Sequence, residues 1–138
     1  MPVGGGEETP LTTTKGRDGG ADFSRDGRWI YFHSERSGSA QIWRMHPDGT
    51  QPEQVTNDEF NNRFPHASPD GRWLVFFSSE KGPKGNLPYS DVTLRIMPLA
   101  DGIIDVLAKL LGADGSVFAP CGSPNRRTLA FASYPFRP

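Results

Sequence analysis

A single cysteine, Cys121, stands among the 138 residues. One thiol excludes an internal disulfide framework and leaves the redox compartment open. Charge of one sign is also lacking: 15 Lys and Arg face 16 Asp and Glu, for a formal net charge of -1. The clustered positive field that a phosphate backbone requires is therefore missing, and nucleic acid is not an expected partner. No apolar run approaches the length of a membrane span. The opening Met1 to Gly6 has neither the basic stretch nor the apolar core of an export signal, so the chain as written reads as soluble. Helix signals are almost absent. Residues 104–111 could form a helical turn or two, but their place in the repeat described next favours an outer strand.

What is present is punctuation and repetition. Sixteen glycines and thirteen prolines fall at regular places between short strand-like runs. Ser24-Arg25-Asp26-Gly27-Arg28-Trp29 returns 44 residues later as Ser68-Pro69-Asp70-Gly71-Arg72-Trp73, within a gapless match of Leu11–Trp29 to Val55–Trp73. A third copy, Ser123-Pro124-Asn125-Arg126-Arg127-Thr128, follows after a further 55 residues, the excess lying largely in one extended loop. A unit of 40–45 residues is the size of a four-stranded propeller blade. Ser at the first turn position, Pro at the second and Gly at the fourth predict a type I hairpin corner, with the glycine free to take a positive φ. In the third copy Asn125-Arg126 stands in place of Asp-Gly and Thr128 in place of Trp, so the last blade is expected to be the least well formed.

After each corner runs a segment apolar on both alternating faces: Trp29 to Ser34, Trp73 to Ser78 and Thr128 to Ser133. A strand apolar on both sides is covered on both sides, as in a blade packed between neighbours. Gln41 to Met45 and Thr93 to Met97 read as third strands, each followed by an Asp-Gly turn, and short outer strands are expected at Glu53 to Thr56 and Ile103 to Ala108. The predicted class is all-β, a partial propeller of four-stranded antiparallel blades, about three in number with the first and last incomplete. Its parts are a flexible segment 1–9, an outer strand 10–13, blades 19–57 and 62–108, a partial blade 115–134 and a tail 135–138.

Ser68 to Trp73, Gln41 to Met45 and Asn61-Asn62-Arg63-Phe64-Pro65-His66-Ala67-Ser68 resemble the PD40 repeat of TolB-like propellers, over Leu11 to Tyr134. The resemblance implies a ring of about six or seven blades, of which these residues would supply about half. Either the chain is a piece of a longer protein or it closes by two-fold pairing with its own copy. In both cases the terminal blade faces are expected to be exposed and to seek partners, by self-association or through the missing blades. The same repeat is similar to that of periplasmic scaffold proteins, of the propeller gates of serine peptidases and of some carbohydrate lyases, so it specifies fold more sharply than function. A periplasmic parent protein is compatible with it.

Asp22, His66 and Cys121 occupy equivalent positions, two residues before each turn serine, on strands expected to line the axial channel. All three types are competent zinc ligands, but without a local four-ligand motif their expected role is packing between blades. Carbohydrate lyases of similar fold surround a metal with several axial histidines, whereas His66 alone takes such a position here. His33 and His46 have no such equivalence and are expected at the surface or at strand ends. No Gly-x-Ser-x-Gly elbow is present, so no triad can be assembled. The long connection 80–91 offers Lys84 and Tyr89 as contact residues for a protein partner. Arg25, Arg28, Arg72 and Arg126 are expected to form a solvated rim. Structural turn positions are Ser24, Asp26, Gly27, Ser68, Pro69, Asp70, Gly71, Ser123 and Pro124. No cofactor is called for. The reading is a non-enzymatic binding or scaffold module; the alternatives are a metal-assisted carbohydrate lyase and a gate separated from a serine peptidase.

Overall fold

The computed structural model describes residues 1, 3–81, 92–110, 118–123 and 127–132, with the backbone alone for 118–122 and 131–132. Two antiparallel four-stranded sheets follow one another along the chain, each in meander order. The first holds β1 (Asp18–Phe23), β2 (Ile30–Ser34), β3 (Gln41–Met45) and β4 (Glu53–Gln54); the second holds β5 (Phe60–Ala67), β6 (Trp73–Glu80), β7 (Val92–Pro98) and β8 (Asp105–Leu110). β9 (Phe118–Gly122) and β10 (Leu129–Ala132) pair as the start of a third. No helix occurs among the described residues, and 105–110 is strand.

The corners form because a serine hydroxyl serves both arms of the hairpin. Gly27 N–H donates to Ser24 O at 2.9 Å, Trp29 N–H donates to Ser24 Oγ at 3.0 Å, and Ser24 Oγ in turn donates to Asp26 Oδ1 at 2.6 Å. Ser68, Asp70, Gly71 and Trp73 repeat the same bonds at 2.9, 3.0 and 2.6 Å. Gly27 and Gly71 sit at φ 69° and 70°, where an L side chain is strained. In the third copy Ser123 N–H still donates to Thr128 O and Thr128 N–H to Ser123 Oγ; Pro124 lies outside the described residues.

Each inner strand carries a bulge at the same place. Pairing of β1 with β2 shifts between Gly19 and Asp22, and pairing of β5 with β6 shifts between Arg63 and His66. The left-handed residue this requires is Gly20 (φ 61°) in one blade and Phe64 (φ 54°) in the other. A phenylalanine there is strained, and it is held by an edge-on contact with His33 at 5.2 Å between ring centroids.

β2 is buried along its whole length, as two-sided apolarity demands. Tyr31 and Ile42 of the first blade pack on Leu74, Phe76 and Met97 of the second, while Phe77 and Leu94 turn the other way toward Leu129 of the third. Several expectations are corrected. Residues 10–13 form no strand, and the first strand starts at Asp18. β4 is two residues long, because Thr56 turns its hydroxyl back to accept from Ile42 N–H at 2.9 Å instead of extending the ladder. The outer strand of the second blade runs two residues later than its sequence suggests. On the first blade's leading face Ile30, Phe32 and Met45 are buried, not exposed, with the Arg36 guanidinium over Phe32 and Trp43.

Candidate functional site

Two of the three equivalent inner-strand residues meet. His66 Nδ1 lies 3.1 Å from Asp22 Oδ2, and the same oxygen accepts from Ala67 N–H at 3.3 Å, so the pair ties β1 to β5 across the blade boundary. Cys121 follows on β9, opposite Ala130. Among the described residues no three His, Cys, Asp or Glu side chains gather as a metal site would need. Lys84 and Tyr89 lie outside the described residues.

A second contact between the blades is deeper, and no motif in the sequence singles it out. Gln41 of β3 reaches into the second blade, its Nε2 donating to Phe60 O at 2.8 Å and Asp58 O at 3.2 Å. Its Oε1 accepts from Asn62 Nδ2 (3.0 Å) and Thr56 Oγ1 (2.8 Å). Asn62 Oδ1 accepts from Ser78 Oγ at 2.6 Å, and the Arg95–Asp58 pair at 2.8 Å closes the cluster. Both amides are fully buried and fully bonded, which is the condition under which buried polar groups stabilise rather than cost. A fainter signal does exist: Thr12 with Thr56, and Ser34 with Ser78, are polar residues repeated at the 44-residue period.

His33 lies next to the end of β2, and only the expectation of a surface position is corrected. It is 6 % exposed, not at the surface, with its ring against Gly19 and Gly20 on one side and Phe64 on the other. Phe64 N–H points at its Nδ1 at 3.4 Å. Burial, with the Arg63 guanidinium next in weight, lowers its pKa to about 4 against the opposing pull of Glu35 and Asp18. His46 directly follows the end of β3 and is half-buried, stacked on Trp29 at 4.5 Å.

The two blade boundaries differ at their turn ends. Between blades one and two, Tyr31 and Arg44 fill the space; the Arg44 guanidinium covers Trp29 at 4.3 Å and pairs with Glu53 at 2.7 Å. Register places Val75 and Ile96 at the corresponding positions of the second blade. These smaller side chains leave a cleft of about 280 Å³ between blades two and three, with Trp73, Leu107 and Leu129 also on its walls. Trp73 is 38 % exposed, and Leu107 on the cleft wall, like Ile103 and Val106 elsewhere on the outer edge, is exposed as well.

The family model described as the TolB beta propeller domain matches residues 1–133. An uncharacterized protein of Agrobacterium fabrum is 38 % identical over 134 residues, 97 % of this chain and 46 % of that protein. A solved TolB-type structure from Agrobacterium tumefaciens superposes with a TM-score of 0.85 at 37 % identity, covering 99 % of this chain and 50 % of the other. TolB from Acinetobacter baumannii gives 0.67 at 25 % identity, covering 86 % and 27 %. The chain thus spans about half the length of the two Agrobacterium relatives. With its repeat, its blade order and its buried blade contacts in agreement, the chain belongs to the TolB beta-propeller (PD40) family.

Proposed function

We propose that this chain is a non-enzymatic binding module that works through protein–protein contact. The observation that carries the reading is the apolar set Trp73, Ile103, Val106 and Leu107, left in solvent beside the outermost strand β8. Large apolar side chains left in solvent on and around one edge strand are candidates for contact with a partner. Side chains that could serve chemistry have structural work instead: His66 and Asp22 join β1 to β5, and His33 is enclosed between two blades. Further blades, or a second copy of the chain, are the partners most consistent with the half-length match to relatives.

The test is a photo-crosslinking amino acid in place of Leu107, with the chain produced in A. fabrum. One discrete protein adduct is expected, lost when Val106 and Ile103 are both changed to Lys. Absence of any protein adduct would overturn the reading. Calorimetric titration with Mn²⁺ and Zn²⁺ addresses the lyase alternative: no saturable heat is expected, and stoichiometric binding abolished by His66→Ala would favour that alternative.

A further inference from the structure

We infer that the cleft between the second and third blades is a receptor for an uncharged aromatic side chain of a partner protein, taken up between Trp73 and Leu129. The inference rests on the protein-binding reading above and names the chemistry of one contact within it.

The first blade boundary supplies the pattern, because there the same place is filled from within. Tyr31 is buried in one cluster with Leu74, and Trp29 packs against that cluster. An Arg44 N–H donates to the Tyr31 hydroxyl. Strand register fixes the equivalences. Tyr31 pairs with Arg44, and in the second blade Val75 pairs with Ile96; Leu74 pairs with Ala67, and in the third blade Leu129 pairs with Gly122. Trp73 follows its corner serine as Trp29 does. Trp73 and Leu129, the counterparts of Trp29 and Leu74, both line the cleft. The walls that enclose a ring at the first boundary are therefore kept at the second, while the ring itself has become valine.

The space left measures about 280 Å³. An apolar cavity of about 150 Å³ is enough to take up benzene, so a benzyl group enters with room for the chain that carries it. Val75, Ile96 and Leu107 add aliphatic surface, and the Trp73 indole favours a ring over an aliphatic group of the same size. Charge decides against an ionised occupant. The charged groups at the cleft are matched within the chain: Asp70 holds Arg72 at 2.8 Å, and Arg127 is itself engaged. Ile96 stands where Arg44 serves the Tyr31 hydroxyl, so the donor a phenol has at the first boundary is gone and phenylalanine is the simplest ring to offer. Trp73 and Leu107 are the exposed part of the wall, and both belong to the apolar set on which the protein-binding reading stands.

The experiment is a titration of the ¹⁵N-labelled chain with N-acetyl-phenylalaninamide, followed at the three tryptophan indole N–H signals, with N-acetyl-alaninamide and N-acetyl-argininamide as controls. Saturable movement of the Trp73 signal at roughly millimolar affinity is expected with the aromatic compound alone, while Trp29 and Trp43 stay in place. Val75→Tyr, which restores the first boundary's ring, should abolish it by filling the site. Leu107→Ser, on the exposed wall, should weaken it about threefold to fivefold. Movement that does not saturate, equal shifts with a control compound, or a Val75→Tyr variant that binds as well as the parent would overturn the assignment. Should Val75→Tyr fail to fold, Leu107→Ser decides in its place, and unchanged affinity there overturns the site. Binding of the aromatic compound without any protein adduct at position 107 would sink the protein-binding reading alone, and an adduct from a chain that takes up no aromatic compound would sink the ring site alone.

Discussion

His33 and Phe77 occupy the same place in successive blades, and the difference between them has a measurable consequence. The ring of His33 is neutral in the fold, with its pKa lowered to about 4 first by burial and then by Arg63. An unfolded chain would protonate it near pH 6.5. Its contribution to stability is therefore complete above about pH 6.5, declines as the pH falls from there toward 4, and changes no further below. Thermal melts between pH 7.5 and 4 should show that decline, and His33→Phe should flatten it while leaving the melting temperature at pH 7.5 little changed. An unchanged pH profile in the variant would mean that some other group titrates. Gly20 is the matching constraint on the opposite strand: at φ 61° and with an added Cβ only 2.9 Å from His33 Nδ1, Gly20→Ala should be among the most disruptive single changes in the first blade.

At the scale of elements the corner serines and glycines dominate. Gly27 and Gly71 have open space around an added Cβ, so Gly→Ala at either position tests backbone conformation alone and should cost about 1 kcal/mol by denaturant unfolding. Ser68→Ala removes the acceptor for Trp73 N–H and the donor to Asp70, for a loss of about 1 kcal/mol. The Ser68 hydroxyl and then Arg72 hold the Asp70 carboxyl far below its usual range, so this corner stays charged well into acid. These corners and the strands that follow them can be read directly from Ser-Pro-Asp-Gly-Arg-Trp, because turn chemistry and two-sided apolarity are local properties. Outer strands are less legible: β4 is cut to two residues by a tertiary bond from Thr56, which no local pattern announces. The Asp22–His66 pair is half legible. Spacing puts Asp22 and His66 at equivalent positions, but only the relative placement of two sheets brings them to 3.1 Å. His33 is easily misplaced because a histidine reads as polar, although its alignment with Phe77 points inward.

For the whole molecule the decisive feature is how one sheet sits against the next. Apolar contact between Tyr31, Ile42, Leu74, Phe76 and Met97 supplies area, while the Gln41 and Asn62 amides supply direction and register. A mismatched blade could still bury oil against oil, but it would strand these amides without partners, at a cost of about 1–3 kcal/mol each. The blade boundary is thus specific as well as adhesive. The next boundary keeps the apolar part, with Phe77 and Leu94 against Leu129, and opens at the turn end, where the cleft lies.

A double-mutant cycle between Gln41 and Asn62 tests this account most directly. Gln41→Ala, Asn62→Ala and the double variant are unfolded in urea and their free energies compared. If the two sheets are adjacent blades joined through these amides, each single change is strongly destabilising and the coupling is about 1–3 kcal/mol. Losses that simply add, within about 0.5 kcal/mol, would contradict a direct contact between residues 21 positions apart on different sheets and with it the stacked-blade arrangement.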